Sequence, residues 1–321
     1  MNKVKEFIGI DISKDVIDIY DSQGNFHQFK NSLSGFKKLL SLTNFSSHCV
    51  MEATGYYHLK LAYFLLEHGV AVSVENPLKV KRFIQMKLSK IKTDKSDSLQ
   101  IYNYGVSQNP SLWKGESKSQ QECLQIVRLI SVYTKQSTQL KNKLHGESVL
   151  GTPSKLVVKS LEKQLKNIEK EVEKLELYLE DTLKKSHEKS ITLLRSIPGI
   201  GKKTALMLLV FTDGFNRFSS GSELCSYAGL TPIIRQSGIS VKGKPRISKM
   251  GNAKLRNLLF MCSFNACKYN SACKALYERI VAKGKSKKLA LIAVCNKLLK
   301  QAFGIVKSGL PYDENFVSKL A

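Results

Sequence analysis

Four acids are spaced as the ligands of a divalent cation would be. Asp11 closes the apolar run 7–10. Glu52 closes a second run and precedes Ala53-Thr54-Gly55, and Asp94 and Asp97 lie three apart in Lys92-Thr93-Asp94-Lys95-Ser96-Asp97. Residues at i and i+3 share a helix face, so the last two carboxylates can point to one place. Carboxylates that end adjacent strands and face such a helix can converge on hard cations, and two Mg²⁺ ions about 4 Å apart are the usual device for displacement at phosphorus. A plainer reading also stands, with Asp94 as a helix cap and Asp11 as a solvated strand end. Asp15, Asp18 and Asp21 read as exposed strand and turn residues.

A second constellation is Ser237-Gly238, in a loop rich in Gly and Lys. Ser-Gly is an ordinary turn, and a serine there is also free to act as a nucleophile. All six histidines lie at or before residue 187, so a Ser-His-Asp triad inside the last third is impossible. An activating group for Ser237 would have to come from outside that region. Around it stand Arg235, Lys242, Lys244, Arg246, Lys249, Lys254 and Arg256, and no acid occurs between Cys225 and Asn252. Such side chains suit a scissile phosphate and the charge that develops on it. Ile197-Pro198-Gly199-Ile200-Gly201-Lys202-Lys203 fits a helix-hairpin-helix turn, in which backbone N–H groups and Lys202 and Lys203 meet a phosphate. A tight interhelical turn explains the same glycines. A further basic run, Lys79, Lys81, Arg82, Lys87, Lys90, Lys92 and Lys95, leads into the acids at 94 and 97.

These residues need elements to hold them. Period-two alternation predicts strands at 16–20 and 25–29 after the run 7–11, with Gly24-Asn25 as the turn between them. A helix over 32–42, a strand over 48–52, a helix over 57–68, a strand over 70–74 and a helix from Pro77 follow. The pattern βββαβαβα implies a mixed sheet covered by helices, an α/β domain over 1–110. Residues 111–190 read as helical. Leu161, Leu165, Ile168, Val172, Leu175 and Leu179 step by fours and threes, as in a coiled-coil seam. With an earlier helix over 121–144 this makes a hairpin, packed on its own chain or serving as a dimerisation arm. Residues 191–321 form a mostly helical third domain, with helices over 202–210, 253–267 and 287–306.

The 321 residues carry 51 Lys+Arg against 26 Asp+Glu, a net charge of +25, and residues 191–321 alone hold +17 of it. That balance disfavours an enzyme of small uncharged metabolites and favours a polyanion, nucleic acid or a membrane surface. The apolar run 289–295 is too short to span a bilayer, and the first residues lack a signal-peptide core. Nucleic acid is therefore the expected partner, without a membrane, in the cytosol. Seven cysteines without a CxxC pair read as reduced apolar residues.

Ile8-Gly9-Ile10-Asp11, Met51-Glu52-Ala53-Thr54-Gly55 and Lys92 to Asp97, followed by Ala228-Gly229-Leu230-Thr231-Pro232, Ser237-Gly238, Ile247 to Asn252 and Leu255-Arg256, together resemble the Asp-Glu-Asp-Asp transposases of bacterial insertion sequences. The resemblance runs from residue 7 to about residue 315. It implies an N-terminal ribonuclease H-like domain, similar to a Holliday-junction resolvase, with Asp11, Glu52, Asp94 and Asp97 binding Mg²⁺ (or Mn²⁺). It further implies that Ser237 attacks DNA and forms a phosphoserine link; Ser240 is the second candidate. A structured bridge RNA, a dimeric or tetrameric assembly, and cutting and rejoining of donor and target DNA are also implied. Two other classes stay open: a metal-dependent nuclease or junction resolvase acting by hydrolysis, and a non-catalytic nucleic-acid-binding protein.

Overall fold

A computed structural model describes residues 5–87, 93–234, 236–237, 241–242 and 246–315, the two dipeptides by their backbone alone. The chain divides into two compact units, Met1–Glu116 and Ser117–Ala321.

The first unit is a five-stranded sheet in the order β3-β2-β1-β4-β5. The strands are β1 (Glu6–Ile12), β2 (Val16–Tyr20), β3 (Phe26–Lys30), β4 (Ser47–Glu52) and β5 (Ala71–Glu75). The first three form the expected antiparallel meander, and β4 and β5 run parallel to β1. Alternation along β1 sorts its side chains between two cores. Ile8, Ile10 and Ile12 pack with Phe36 and Leu39 of α1 (Leu33–Ser41) and with Leu61 and Leu65 of α2 (Tyr57–Glu67). Phe7 packs on the other face with Val50, with Val80 and Phe83 of α3 (Pro77–Met86), and with Ile101 and Tyr104 of α4 (Asp94–Gln108). Each buried aliphatic side chain stabilises by roughly 1.5–3 kcal/mol, so both faces draw their helices in firmly. Gly9 lets α4 lie directly on β1: a Cβ there would stand 2.3 Å from the Tyr102 backbone nitrogen.

The second unit is helical. Helices α5 (Lys118–Val149) and α6 (Lys155–Arg195) form the hairpin, followed by α7 (Lys202–Thr212), α8 (Gly221–Tyr227), α9 (Ala253–Tyr269), α10 (Ser271–Ala282) and α11 (Lys287–Ser308). Residues 111–190 are not a separate body. Helix α6 runs through position 190, and Cys123, Val127 and Ile130 of α5 share one core with Leu179, Leu183 and Leu194 of α6 and with Leu259, Val294 and Leu298. Half-buried Val172 packs against that core, and farther along the seam Leu161, Leu165 and Ile168 are likewise only half-buried. Helix α10 has no counterpart in the sequence reading. Buried Asn270 ends α9, and its side chain accepts the Cys273 N–H at 3.1 Å to start α10 one residue later, so no turn signal separates the two. Helix α11 is long and apolar enough to cross a bilayer by length and composition, which the run 289–295 did not suggest. Its Ala290, Val294, Cys295, Leu298, Leu299 and Ala302 are fully buried in the second unit.

Candidate active site and nucleic-acid interface

The first unit gathers the acids on the sheet face under α4. Asp11 follows Phe7 and Gly9 in the two-residue alternation of β1, and Glu52 follows His48 and Val50 in β4, so both carboxylates rise on that face. Asp94 and Asp97 occupy the first turn of α4. Thr93 is the helix cap: its Oγ1 accepts the Ser96 N–H at 3.1 Å, and Ser96 Oγ accepts the Thr93 N–H at 2.9 Å. Asp94 is therefore not needed as the cap. Asp11 Oδ1 accepts the Ile12 N–H at 3.0 Å.

The carboxylates sense one another. Burial, then the charges of Asp97, Asp18 and Asp94, push the Asp11 carboxyl above its ordinary range, against the pull of the Ile12 N–H. Burial, then Asp11 and Asp97, push Glu52 up as well. Among the described residues no counter-charge offsets them, and like charges so held are what a cation would relieve. Among the described residues no three His, Cys, Asp or Glu side chains stand close enough to hold an ion as they are. The all-oxygen donor set nonetheless fits a hard divalent cation rather than a soft one.

Asp18 corrects the sequence reading. It is 3% exposed rather than solvated. It pairs in register with Asp11, accepts from Gln28 Nε2 at 2.7 Å, and is raised by burial and by Asp94 against that hydrogen bond. Alternation showed that Asp18 faces away from the Ile17–Ile19 core; it could not show that α4 covers the second face too. Asp15 is exposed, and Asp21 is half-buried, accepting the Gln23 and Asn25 N–H groups of the turn. His58, also missed, is 6% exposed just after the loop that follows Glu52, and burial lowers its pKa against its bond to the Thr54 backbone.

In the second unit the motif around the serine forms a knitted base. Strands β6 (Pro232–Ile233) and β9 (Arg246–Ile247) pair antiparallel, and β7 (Gln236–Ser237) pairs with β8 (Val241–Lys242), Ser237 opposite Val241. Ser248 N–H donates to the Thr231 carbonyl at 2.9 Å, and Asn252 N–H to that of Tyr227 at 2.8 Å. Gly251, at φ +125°, leaves no room for a side chain: a Cβ would stand 2.1 Å from the Tyr227 oxygen. Asn252 caps α9 through Leu255 N–H. These contacts fix the two ends of the segment that carries Ser237.

The basic residues divide three ways. Lys87, Arg246 and Lys249 are exposed, and Lys87 lies over the Phe83 ring. Arg256 is half-buried and donates to the Ala228 carbonyl at 2.8 Å, clamping the motif. Lys202 and Lys203 form ion pairs with Glu180 and Glu176 of α6, so both ammonium groups already hold carboxylates. Lys90, Lys92, Arg235, Lys244, Gly238 and Ser240 lie outside the described residues, and Ser237 and Lys242 are described by their backbone only.

Similarity to known proteins places the chain in a class, the DNA transposases and recombinases. Residues 8–150 match a transposase family named for its Asp-Glu-Asp-Asp acids, and residues 191–278 match the transposase IS116/IS110/IS902 family. The pilin gene-inverting proteins of Moraxella bovis and Moraxella lacunata are each 32% identical over 97% of this chain and 98% of their own. The transposase for insertion sequence element IS1111A of Coxiella burnetii is 23% identical over 91% of this chain and 87% of its own. The chain belongs to the IS110 family of transposases, enzymes that act on DNA. Membership implies dependence on a divalent metal.

Proposed function

We propose that the chain cuts and rejoins DNA at insertion-sequence ends through a covalent phosphoserine, with Mg²⁺ as the working metal and Mn²⁺ able to replace it. The observation that carries this reading is the set of mutually repelling carboxylates under α4, led by Asp11 and Glu52. A bound divalent cation would neutralise charge on the scissile phosphate and lower the cost of ionising a hydroxyl. Asp11, Glu52, Asp94 and Asp97 would hold it. Ser237 Oγ attacks phosphorus and gives up its proton; the Oγ–P bond forms as a P–O bond of the DNA strand breaks, and the departing oxygen takes a proton. Attack on that phosphoserine by the hydroxyl of another strand reverses the step and joins the new partner. No high-energy cofactor is consumed, because the phosphodiester is conserved in the link. Exposed Arg246 and Lys249 flank the serine segment and are suited to hold the phosphates on either side.

The order of strands, a three-stranded meander continued by two parallel strands, supports the ribonuclease H-like reading of the first unit. The serine and the acids belong to different units, and we take the working site to be composite, assembled in a dimer or tetramer. A structured bridge RNA would supply base recognition, in keeping with the few base-reading signatures in the sequence. Relatives named for pilin gene inversion support inversion of a DNA segment as one form the reaction takes. Localisation in the bacterial cytoplasm, at the nucleoid, follows from a DNA substrate.

The test is Ser237→Ala with labelled end DNA. The covalent protein–DNA adduct on a denaturing gel should vanish while Mn²⁺ binding persists. Cleavage that continued at the wild-type rate without adduct would replace this reading with the hydrolytic nuclease.

A further inference from the structure

Glu75 is a buried acid that the motif does not include. It ends β5 in register with Glu52 at the end of β4, so both side chains rise on the face under α4. It is 6% exposed. A carboxylate so buried is costly unless its charge and lone pairs are matched.

Three elements supply the match. Lys79 of α3 pairs with Glu75 Oε2 at 3.1 Å. Tyr104 Oη of α4 donates to the same oxygen at 3.2 Å. The Glu75 backbone carbonyl accepts the N–H of Ala53, the residue after Glu52, at 2.9 Å. Tyr104 is itself 6% exposed, with its ring edge-on to Phe83 at 5.4 Å. Burial, with Glu75 beside it, pushes its hydroxyl up to about 12, so it remains a donor at any working pH. Tyr104 stands seven residues beyond Asp97 on α4, two helical turns along the same face.

One side chain thus joins the strand end that carries Glu52 to the helix that carries Asp94 and Asp97. Its negative charge is matched by Lys79, which distinguishes it from Asp11 and Glu52, where no charge among the described residues offsets the repulsion. We propose that Glu75 and Tyr104 are positioning residues that set the distance between Glu52 and the Asp94–Asp97 turn. They act on the cation through those acids without touching it. The inference rests on the metal reading of the four acids.

The test measures Mn²⁺ affinity of the full chain by electron paramagnetic resonance, alongside affinity for end DNA. Tyr104→Phe, which removes only the hydroxyl, should weaken Mn²⁺ binding about tenfold, the scale for groups that orient metal ligands. Glu75→Leu should do the same. Glu75→Gln, whose amide oxygen still accepts from Tyr104, should stay within about threefold of wild type. DNA affinity should not change in any of them. Tyr104→Phe binding Mn²⁺ as tightly as wild type would overturn the inference. So would Glu75→Gln as damaging as Glu75→Leu, because the charge itself would then be the active feature and Glu75 a ligand. Thermal unfolding in EDTA separates these outcomes from misfolding, since a variant that unfolds like wild type yet binds Mn²⁺ weakly has lost positioning alone. Wild-type protein that bound no Mn²⁺ would remove the metal reading, and this inference with it.

Discussion

Asp11 and Glu52 are held in the folded chain with carboxyls that resist ionising, by burial first and by their neighbours' charges second. An acid whose folded-state pKa is raised opposes folding once it ionises. The cation-free protein should therefore lose stability as pH rises from the ordinary carboxylate range through the raised values. Asp11→Asn should raise the melting temperature at pH 7 in EDTA and abolish strand cleavage, and added Mg²⁺ should stabilise wild type but not the variant. A melting temperature unchanged by Asp11→Asn would show that the repulsion is not felt. His48 works with the opposite sign. It is 1% exposed, and burial, with Lys5 nearby, lowers its pKa to about 4. Ser73 Oγ donates to the Ser111 carbonyl at 2.7 Å, so the His48 Nε2 at 2.8 Å carries the proton and Nδ1, without a partner, is bare. Its contribution is complete above the unfolded value of 6.5 and is lost as pH falls towards 4, a cost of about 2 kcal/mol at pH 5. Denaturant midpoints at pH 7 and pH 5 should separate by less in His48→Leu than in wild type.

Among the elements, α6 presents a half-covered seam and a pair of acids that hold lysines. Its seam residues are half-covered by α5, and a second hairpin would cover the rest. Ile168→Asp is expected to reduce the mass measured by light scattering while leaving the core of the second unit folded; an unchanged mass would leave α5 as the seam's only partner. Its acids Glu176 and Glu180 hold Lys203 and Lys202 where a phosphate was expected. Each ammonium freed to meet a phosphate steepens the salt dependence by about 0.9 in the logarithmic slope. Glu176→Gln with Glu180→Gln should therefore tighten duplex binding at low salt and steepen the slope by roughly 2. A slope that stayed the same would mark the turn at 198–201 as purely structural. The sequence made these elements legible wherever a period met a terminator: the meander with Gly24-Asn25, Pro77 opening α3, the heptads of α6. It failed where the cue was spatial. Acids in the gaps of a coiled-coil seam look solvated until α7 is seen beside them, and period two cannot say whether a sheet's second face is wet or covered, which is how buried Asp18 and Glu75 escaped notice.

For the whole molecule, the four acids lie in a first unit of modest charge and Ser237 in a second that holds most of the excess. If the working site is composite between protomers, Asp11→Asn and Ser237→Ala proteins, each inactive alone, should recover on mixing up to about a quarter of wild-type adduct, the share of sites that receive one intact half from each. No recovery in a mixed oligomer would assign both halves to one chain.

The single break in α6 has a mechanical meaning. His187 leaves helical geometry at φ −135°, and its ring lies so close to Gly214 that a Cβ there would stand 2.6 Å from it. On one side of this joint lie about 32 residues of helix, roughly 48 Å of lever. On the other, the same helix runs into the core and ends at the turn that starts α7. A swing of about 5° at this joint would carry the far tip some 4 Å, given the helical rise. A sideways load on the far tip would thus reach the core of the second unit as torque.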